Sequence, residues 1–201
     1  NSPVLRPLQT PLEIFRCASD RTPVLLPTTG PGDRHFNGNN TPSRFEPSTS
    51  NYVGLKGFFD RGCNYDTKNN CPNNGIFFGD SDVDLREIGD GTTKTIMLGE
   101  RDFRCKSGTW IGSRNPPGSG LVGSYGVIGR TSIRLNFPLT GAHNTCTEGF
   151  SSSHVGGANF AMCDGSVRFL SENIDFNNGG HDLKNDRGFP PVTLGVYQRL
   201  G

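Results

Sequence analysis

An Asp-Gly dipeptide between two runs of β-type residues constrains the fold of this chain more than any other feature. Asp164 and Gly165 follow the run 160–163 and precede the run 166–169. Asp-Gly in that setting is the strongest short-range signal for a β-hairpin with a two-residue turn. Because side chains alternate along a strand, such a turn predicts a half-buried ribbon. One face would carry Phe160, Met162, Val167 and Phe169, and the other Ala161, Cys163, Ser166 and Arg168.

The composition favours a β-rich fold with long connections. Of the 201 residues, 28 are glycine and 14 are proline, which is typical of a chain rich in turns. We expect an α+β fold, with an antiparallel sheet and few short helices. The length fits a single globular domain over 1–201. Extended loops are expected at about 18–50, 60–74 and 113–149.

Several shorter segments have the pattern of regular structure. Asp84 followed by Glu87 forms the sequence of a capping box, so a helix is expected to begin there. Apolar and β-branched runs predict strands at 51–55, 75–78 and 92–100. A shorter strand is expected near 110–112, and the loop 113–149 is interrupted by the apolar runs 127–128 and 133–137.

The charge and hydropathy of the chain exclude two classes of partner. The formal net charge is only +1, whereas nucleic-acid binding needs a strongly basic field. The sequence contains no run of 18 apolar residues, so no membrane span is expected.

The six cysteines favour disulfide bonds and an extracytoplasmic location, at the cell surface, in a periplasm or secreted. Cys63 and Cys71 flank a polar loop and are the most plausible pair, although six cysteines allow 15 connectivities. The alternative is a set of free, buried thiols in a cytosolic protein. The remaining candidates are Cys17, Cys105, Cys146 and Cys163.

Four blocks of the sequence resemble a known family. They lie at 15–20, 50–54, 85–100 and 150–170, and the last contains a histidine, nine residues and then Asp-Gly. This arrangement is similar to that of a planctomycete pilin-like family of unknown function. The residues that carry the signature are His154, Gly156, Gly157, Asp164 and Gly165, with Glu100 at the end of the third block.

The resemblance implies a head domain like those of type IV pilins and type II secretion pseudopilins. Family members have a cleavable leader and a long apolar helix before a β-rich head. The present chain begins where the head would begin, so we expect a pilin-like head that lacks the N-terminal helix. Members usually have proline where Ala18 follows Cys17. No biochemical activity is known that the resemblance could transfer.

Three functions follow as hypotheses. The first is a structural, extracytoplasmic subunit that assembles with itself or docks on other surface or secretion subunits, and it is not an enzyme. The second is a cell-surface module that binds polysaccharide through exposed aromatic side chains. Candidates for that role are Trp110, Tyr52, Tyr65 and Tyr125.

The third hypothesis is a hydrolase that uses His154. Asp164 would orient the imidazole, and Ser151, Ser152 or Ser153 would supply the nucleophile. These serines do not form a Gly-x-Ser-x-Gly elbow, and aspartate is common in turns for backbone reasons alone. The structural interpretation, in which His154 fixes a glycine-rich loop beside the hairpin, is therefore preferred.

Two further charged features are open to more than one interpretation. Glu100 follows an apolar strand and is either a buried partner of arginine or His154, or a strand-edge charge in solvent. Alternating aspartates either offer hard oxygen ligands for calcium, as in the loops of pseudopilin heads, or consist of a helix cap at Asp84 and solvated side chains at Asp80 and Asp82. The calcium candidates are Asp80, Asp82, Asp84 and Asp90.

Overall fold

The fold is built on a five-stranded mixed sheet. The computed structural model describes residues 6–26, 36–37, 44–58, 74–78, 81–112, 126–138, 145–179 and 193–201. Its strands, in chain order, are β1 (Phe36–Asn37), β2 (Arg44–Phe45), β3 (Thr49–Ser50), β4 (Tyr52–Gly57), β5 (Ile96–Glu100), β6 (Gly108–Thr109), β7 (Ile128–Arg130), β8 (Gly157–Met162) and β9 (Val167–Ser171).

The main sheet has the strand order β7-β4-β5-β8-β9. Its neighbours are antiparallel except for β4 and β7, which are parallel. Two small antiparallel pairs, β1 with β2 and β3 with β6, lie outside it. The sheet is thus antiparallel as expected over four of its strands, with one parallel pair at the β7 edge.

The helices that the structure describes are short. Helix α1 (Val196–Arg199) is α-helical, and the others are 3₁₀ turns. The α+β, β-rich class predicted from the sequence is thus confirmed. Within the described ranges, none of these helices is long and apolar enough to cross a bilayer. The 3₁₀ turns lie at Pro7–Gln9, Glu13–Phe15, Leu85–Glu87, Phe103–Cys105 and Thr145–Glu148.

Local signals located some elements better than others. The capping box forms in full: Asp84 accepts from the first turn, and Glu87 accepts from the Asp84 backbone N–H at 2.9 Å. It begins a 3₁₀ turn and not an α-helix. The described part of the segment predicted as a strand near 75–78 is irregular, although the Phe77 N–H donates to the Leu55 carbonyl at 2.9 Å.

The hairpin is present, but its register is one residue away from the prediction. Gly165 adopts a φ of 84° and its N–H donates to the Met162 carbonyl, so the turn contains three residues instead of two. Ala161 therefore pairs with Val167 and not with Arg168. A slip of one residue moves every side chain of the second strand to the other face. Val167 and Phe169 consequently lie on the outer face, 68% and 52% exposed.

The core covers the inner face of the main sheet. Strand residues such as Val53, Ile96 and Phe160 pack against Phe150 and against Tyr197 from α1. The Phe150 and Phe160 rings meet edge to face at 5.3 Å. The remaining members of this buried cluster are Leu55, Leu135, Ala158 and Met162.

Gly99 is the point of closest approach between the sheet and this core. A Cβ atom there would lie 2.4 Å from Phe150 Cδ1 and 2.6 Å from Phe160 Cε1. Both rings are buried, so neither can move aside without disturbing its neighbours. The glycine of β5 thus sets how closely the aromatic core approaches the strand.

We predict that Gly99→Ala lowers the free energy of unfolding by about 1–3 kcal/mol through overpacking. Gly89→Ala is the matched control, because a Cβ there meets nothing within 4 Å. Urea denaturation of both variants measures the difference. Equal stability of the two variants would contradict the close approach at Gly99.

One disulfide bond connects two of the 3₁₀ turns. Cys105 and Cys146 are bonded across a Cα–Cα distance of 5.2 Å. Cys17 and Cys163 are free thiols, so the expectation that they also form bridges is wrong. Cys17 lies against the outer face of the sheet, and Cys163 lies at the hairpin turn. The favoured pair, Cys63 and Cys71, lies outside the described residues.

The double variant Cys105→Ala/Cys146→Ala should be less stable by about 4 kcal/mol, the chain-entropy value for a loop of this size. The bridge closes a sequence separation of 41 residues. Urea denaturation checks this value. Dithiothreitol should lower the stability of the wild type and have a smaller effect on the double variant; an equal effect on both would show that this bridge contributes little.

Candidate functional site

Two neighbouring rows of side chains cross the outer face of the main sheet. In one row Gly54 pairs with Leu98, Leu98 with Ala161, and Ala161 with Val167. The Phe77 ring lies over Gly54, so this row is apolar from end to end. We call it the apolar row, consisting of Phe77, Leu98, Ala161 and Val167.

The second row is polar and lies toward the end of β5. Tyr52 pairs with Glu100, and Asn159 on the next strand pairs with Phe169. Glu100 and Asn159 are joined because the Asn159 backbone N–H donates to Glu100 Oε2 at 2.7 Å. This bond holds the carboxylate in place on the sheet. The Glu100 side chain is only 4% exposed, so it is not a strand-edge charge in solvent.

His154 and Cys17 approach this carboxylate. His154 Nε2 lies 3.2 Å from Glu100 Oε1 and 3.5 Å from Cys17 Sγ. The thiol sulfur, the imidazole nitrogen and the carboxylate oxygen all lie within 4.8 Å of one another. We call these three residues the Cys–Glu–His cluster. Of the alternatives that the sequence left open for Glu100, the structure shows the pairing with His154.

A buried amide holds the Cys17 segment against the sheet. Asn51 immediately precedes β4, and its Oδ1 accepts from the Cys17 backbone N–H at 3.0 Å. The Asn51 backbone N–H donates to the Phe15 carbonyl at 2.8 Å. Its side-chain NH₂ donates to Asp20 and to Thr22 Oγ1. One side chain therefore fixes both ends of the segment that carries the thiol.

A turn of the following loop orients His154. The His154 backbone N–H donates to Ser152 Oγ at 2.9 Å. The imidazole and Phe169 rings are nearly perpendicular, and their centroids lie 6.5 Å apart. Gly156 then takes a φ of 80°, a conformation that disfavours other residues, before the chain enters β8. The glycine-rich loop thus fixes His154, as the structural interpretation of the sequence proposed.

The electrostatics of the cluster keep the thiol protonated. Burial raises the pKa of the Cys17 thiol, and the negative charge of Glu100 raises it further, against partial compensation by backbone N–H groups. Burial also raises the pKa of Tyr52, with a contribution from the nearby Cys17 and Glu100 charges. A raised thiol pKa is the reverse of what a cysteine nucleophile requires.

Asp164 does not belong to this cluster. It lies at the hairpin tip, and its carboxylate accepts from the Ser166 hydroxyl at 2.6 Å and from the Ser166 N–H at 2.9 Å. These bonds lower the pKa of the Asp164 carboxyl. The whole of β8 separates Asp164 from His154, which corresponds to about 20 Å of extended chain. The carboxylate beside the imidazole is that of Glu100.

The three serines before His154 have structural partners. Ser151 Oγ accepts from the Asp102 N–H at 3.2 Å, and Ser152 Oγ accepts from the His154 N–H. Ser153 Oγ is hydrogen-bonded to Asp20 at 3.4 Å. The group that faces the imidazole is a thiol and not a hydroxyl.

The described aspartates of the calcium hypothesis do not come together. Asp84 is bound to the Arg86 guanidinium at 2.7 Å, and this contact lowers the pKa of the Asp84 carboxyl. Asp82 and Asp90 are exposed. Asp80 lies outside the described residues. In the part of the chain that is described, the Cys–Glu–His cluster is the group of three or more side chains placed to hold a metal ion.

The aromatic candidates for polysaccharide binding are not arranged as an exposed platform where they are described. The Trp110 ring stacks on Phe15 with an interplanar angle of 11°. Tyr52 is half-buried beside Glu100. Tyr65 and Tyr125 lie outside the described residues.

The sequence does not reveal the position of Cys17 beside His154. The two residues are far apart along the chain, and nothing in the local spacing of Cys17 distinguishes it from the other disulfide candidates. The available signal was the alternation of side chains: it places Glu100 and Asn159 on the face opposite the core. The position of Cys17 depends on Asn51, a long-range contact that no local pattern reveals.

The family comparison covers all of the residues that build this site. Residues 1–177 match the model of a family described as "Protein of unknown function (DUF1559)". The chain belongs to this family. No curated protein matches the chain, and no solved structure does. The family description assigns no activity.

We predict that Glu100→Gln shifts the alkylation profile of Cys17 to lower pH. Removing the carboxylate charge lowers the raised thiol pKa, so more thiolate is present at mildly alkaline pH and iodoacetamide reacts faster. Peptide mass spectrometry at a series of pH values measures the profile. Cys163 is the internal control, since its pKa is raised by burial and by Asp164. An unchanged Cys17 midpoint, or an equal shift at Cys163, would contradict the placement of Glu100.

Proposed function

We propose that this chain is a structural subunit of an extracytoplasmic, pilin-like assembly, and that it binds a second copy of itself through the outer face of its sheet. The observation that carries the proposal is the apolar row. It crosses four strands on the face opposite the core and ends at the exposed Val167. A continuous apolar strip on the outside of a sheet is typical of an interaction surface.

The strand at the end of this row supports the same reading. Within the described residues β9 is an outermost strand of the main sheet. Natural proteins usually protect such edges with lysine, proline or bulges. Here the outer side of the edge presents Val167 and Phe169, and the charged residue of the strand, Arg168, alternates to the other face. An edge of this kind offers both backbone hydrogen bonds and apolar side chains to a partner strand.

The chemistry of the row favours a second copy as the partner. None of Phe77, Leu98, Ala161 and Val167 carries a charge. An apolar strip is complementary to itself, so two copies can pair about a two-fold axis without opposing like charges. A partner of different chemistry would require charged or hydrogen-bonding groups that the row does not contain.

The disulfide bond and the family resemblance support an extracytoplasmic location. Disulfides form and persist in oxidising compartments, and Cys105–Cys146 ties together two irregular segments of the chain. The pilin-like resemblance of the four sequence blocks implies a secreted or surface-attached head. Together they favour assembly outside the cytoplasm over bond chemistry as the role of the domain.

Self-association through the apolar row is tested by sedimentation velocity over a range of concentrations. We expect the wild type to form a dimer or larger species, and Val167→Lys to shift the equilibrium toward monomer by at least tenfold, because a charge is desolvated on pairing. Leu85→Lys is the matched control: Leu85 is 56% exposed, but it lies on a 3₁₀ turn outside the sheet. A monomeric wild type, or equal effects of both variants, would overturn the proposal.

A further inference from the structure

We propose that the Cys–Glu–His cluster is a zinc-binding site. The three side chains supply a thiol sulfur, an imidazole nitrogen and a carboxylate oxygen, which are the donor types that zinc takes in proteins. This inference is independent of the proposed assembly function, because the cluster lies on the polar row and not on the apolar one.

Two of the three ligand–ligand distances fit tetrahedral coordination, and the third, from Cys17 Sγ to the Glu100 carboxylate, is under 4.8 Å. Around zinc, with metal–ligand bonds of about 2.0–2.3 Å, neighbouring ligand atoms lie about 3.3–3.6 Å apart. The two edges that meet at His154 Nε2 measure 3.5 Å to Cys17 Sγ and 3.2 Å to Glu100 Oε1. They agree with the expected edges to about 0.2 Å, the usual tolerance for such a site.

At His154 Nε2, a hydrogen bond can serve only one of two close contacts. One ring nitrogen, Nε2, faces both the thiol and the carboxylate, yet it carries a single proton or a single lone pair. It can therefore donate fully to Glu100 or accept from Cys17, but not both. A cation that binds all three atoms satisfies every one of them at once.

The same geometry disfavours a thiol nucleophile. In catalytic triads the base uses one ring nitrogen for the nucleophile and the other for the orienting carboxylate. In this cluster the carboxylate competes with the thiol for the same nitrogen. The arrangement is that of ligands around a common centre and not that of a relay.

Neighbouring groups hold the ligands as outer-shell partners do in metal sites. The second carboxylate oxygen of Glu100 accepts from the Asn159 N–H at 2.7 Å. The backbone of Cys17 is fixed by Asn51 Oδ1. Such contacts orient ligands before the metal binds and are characteristic of metal centres.

Binding is balanced in charge and in protons. The zinc ion forms bonds to sulfur, nitrogen and oxygen, the S–H bond of Cys17 breaks, and its proton passes to solvent. Thiolate and carboxylate then neutralise the dication, so burial of Glu100 is compensated. Three protein ligands leave one position for water or another donor, and solvent reaches the cluster at His154, which is 28% exposed.

The test uses the full 201-residue chain, stripped with a chelator and titrated with zinc by calorimetry. We expect one zinc per chain at the cluster, with affinity reduced at least about 100-fold in Cys17→Ser and in Glu100→Gln, since even outer-shell changes cost 10–100-fold. Cys163→Ser, which removes the other free thiol, should bind as the wild type does. Circular dichroism verifies that each variant is folded.

Two further measurements on the wild type do not depend on the folding of any variant. In the wild type, zinc should protect Cys17 but not Cys163 from iodoacetamide, and cobalt should give a thiolate-to-metal charge-transfer band. Zinc affinity unchanged in Cys17→Ser, a cobalt spectrum without the thiolate band, or a preference for calcium over zinc would each overturn the assignment.

Discussion

The hydrogen bonds of one buried residue, Asn51, hold the segment that carries Cys17 against the main sheet. They connect the segment before the sheet to the start of β4 and place the Cys17 thiol over the end of β5. Side-chain amides can satisfy several backbone groups at once, and a buried amide without partners is costly. The position of the thiol is therefore set by hydrogen bonds to a buried residue.

The two faces of the main sheet carry different sets of side chains. Aromatic and aliphatic side chains pack on the inner face, as close as Gly99 allows. The outer face carries the apolar row beside the Cys–Glu–His cluster. Because β5 and β8 run through both rows, the same alternation of side chains that builds the core also aligns Glu100 with Asn159. Assembly and metal binding are thus separate proposals that depend on one scaffold.

Local chemistry explains what the sequence predicted well. An Asp-Gly turn and a capping box need only neighbouring residues, and both are present. The predicted hairpin register is wrong because a two-residue Asp-Gly turn needs a positive φ at both positions, and only Gly165 has one. The turn therefore contains three residues, and Val167 lies on the outer face. The role of Cys17 was missed because it depends on contacts far apart in the chain. Propensity and spacing carry no information about such contacts.

Cys17, Glu100 and His154 meet at one point, where we propose that they share one cation. Anomalous diffraction from a crystal grown with zinc, recorded on both sides of the zinc absorption edge, can locate that ion. We expect an anomalous peak within bonding distance of Cys17 Sγ, Glu100 Oε1 and His154 Nε2. Cys17 lying away from the other two side chains, or a peak only at other residues, would contradict it.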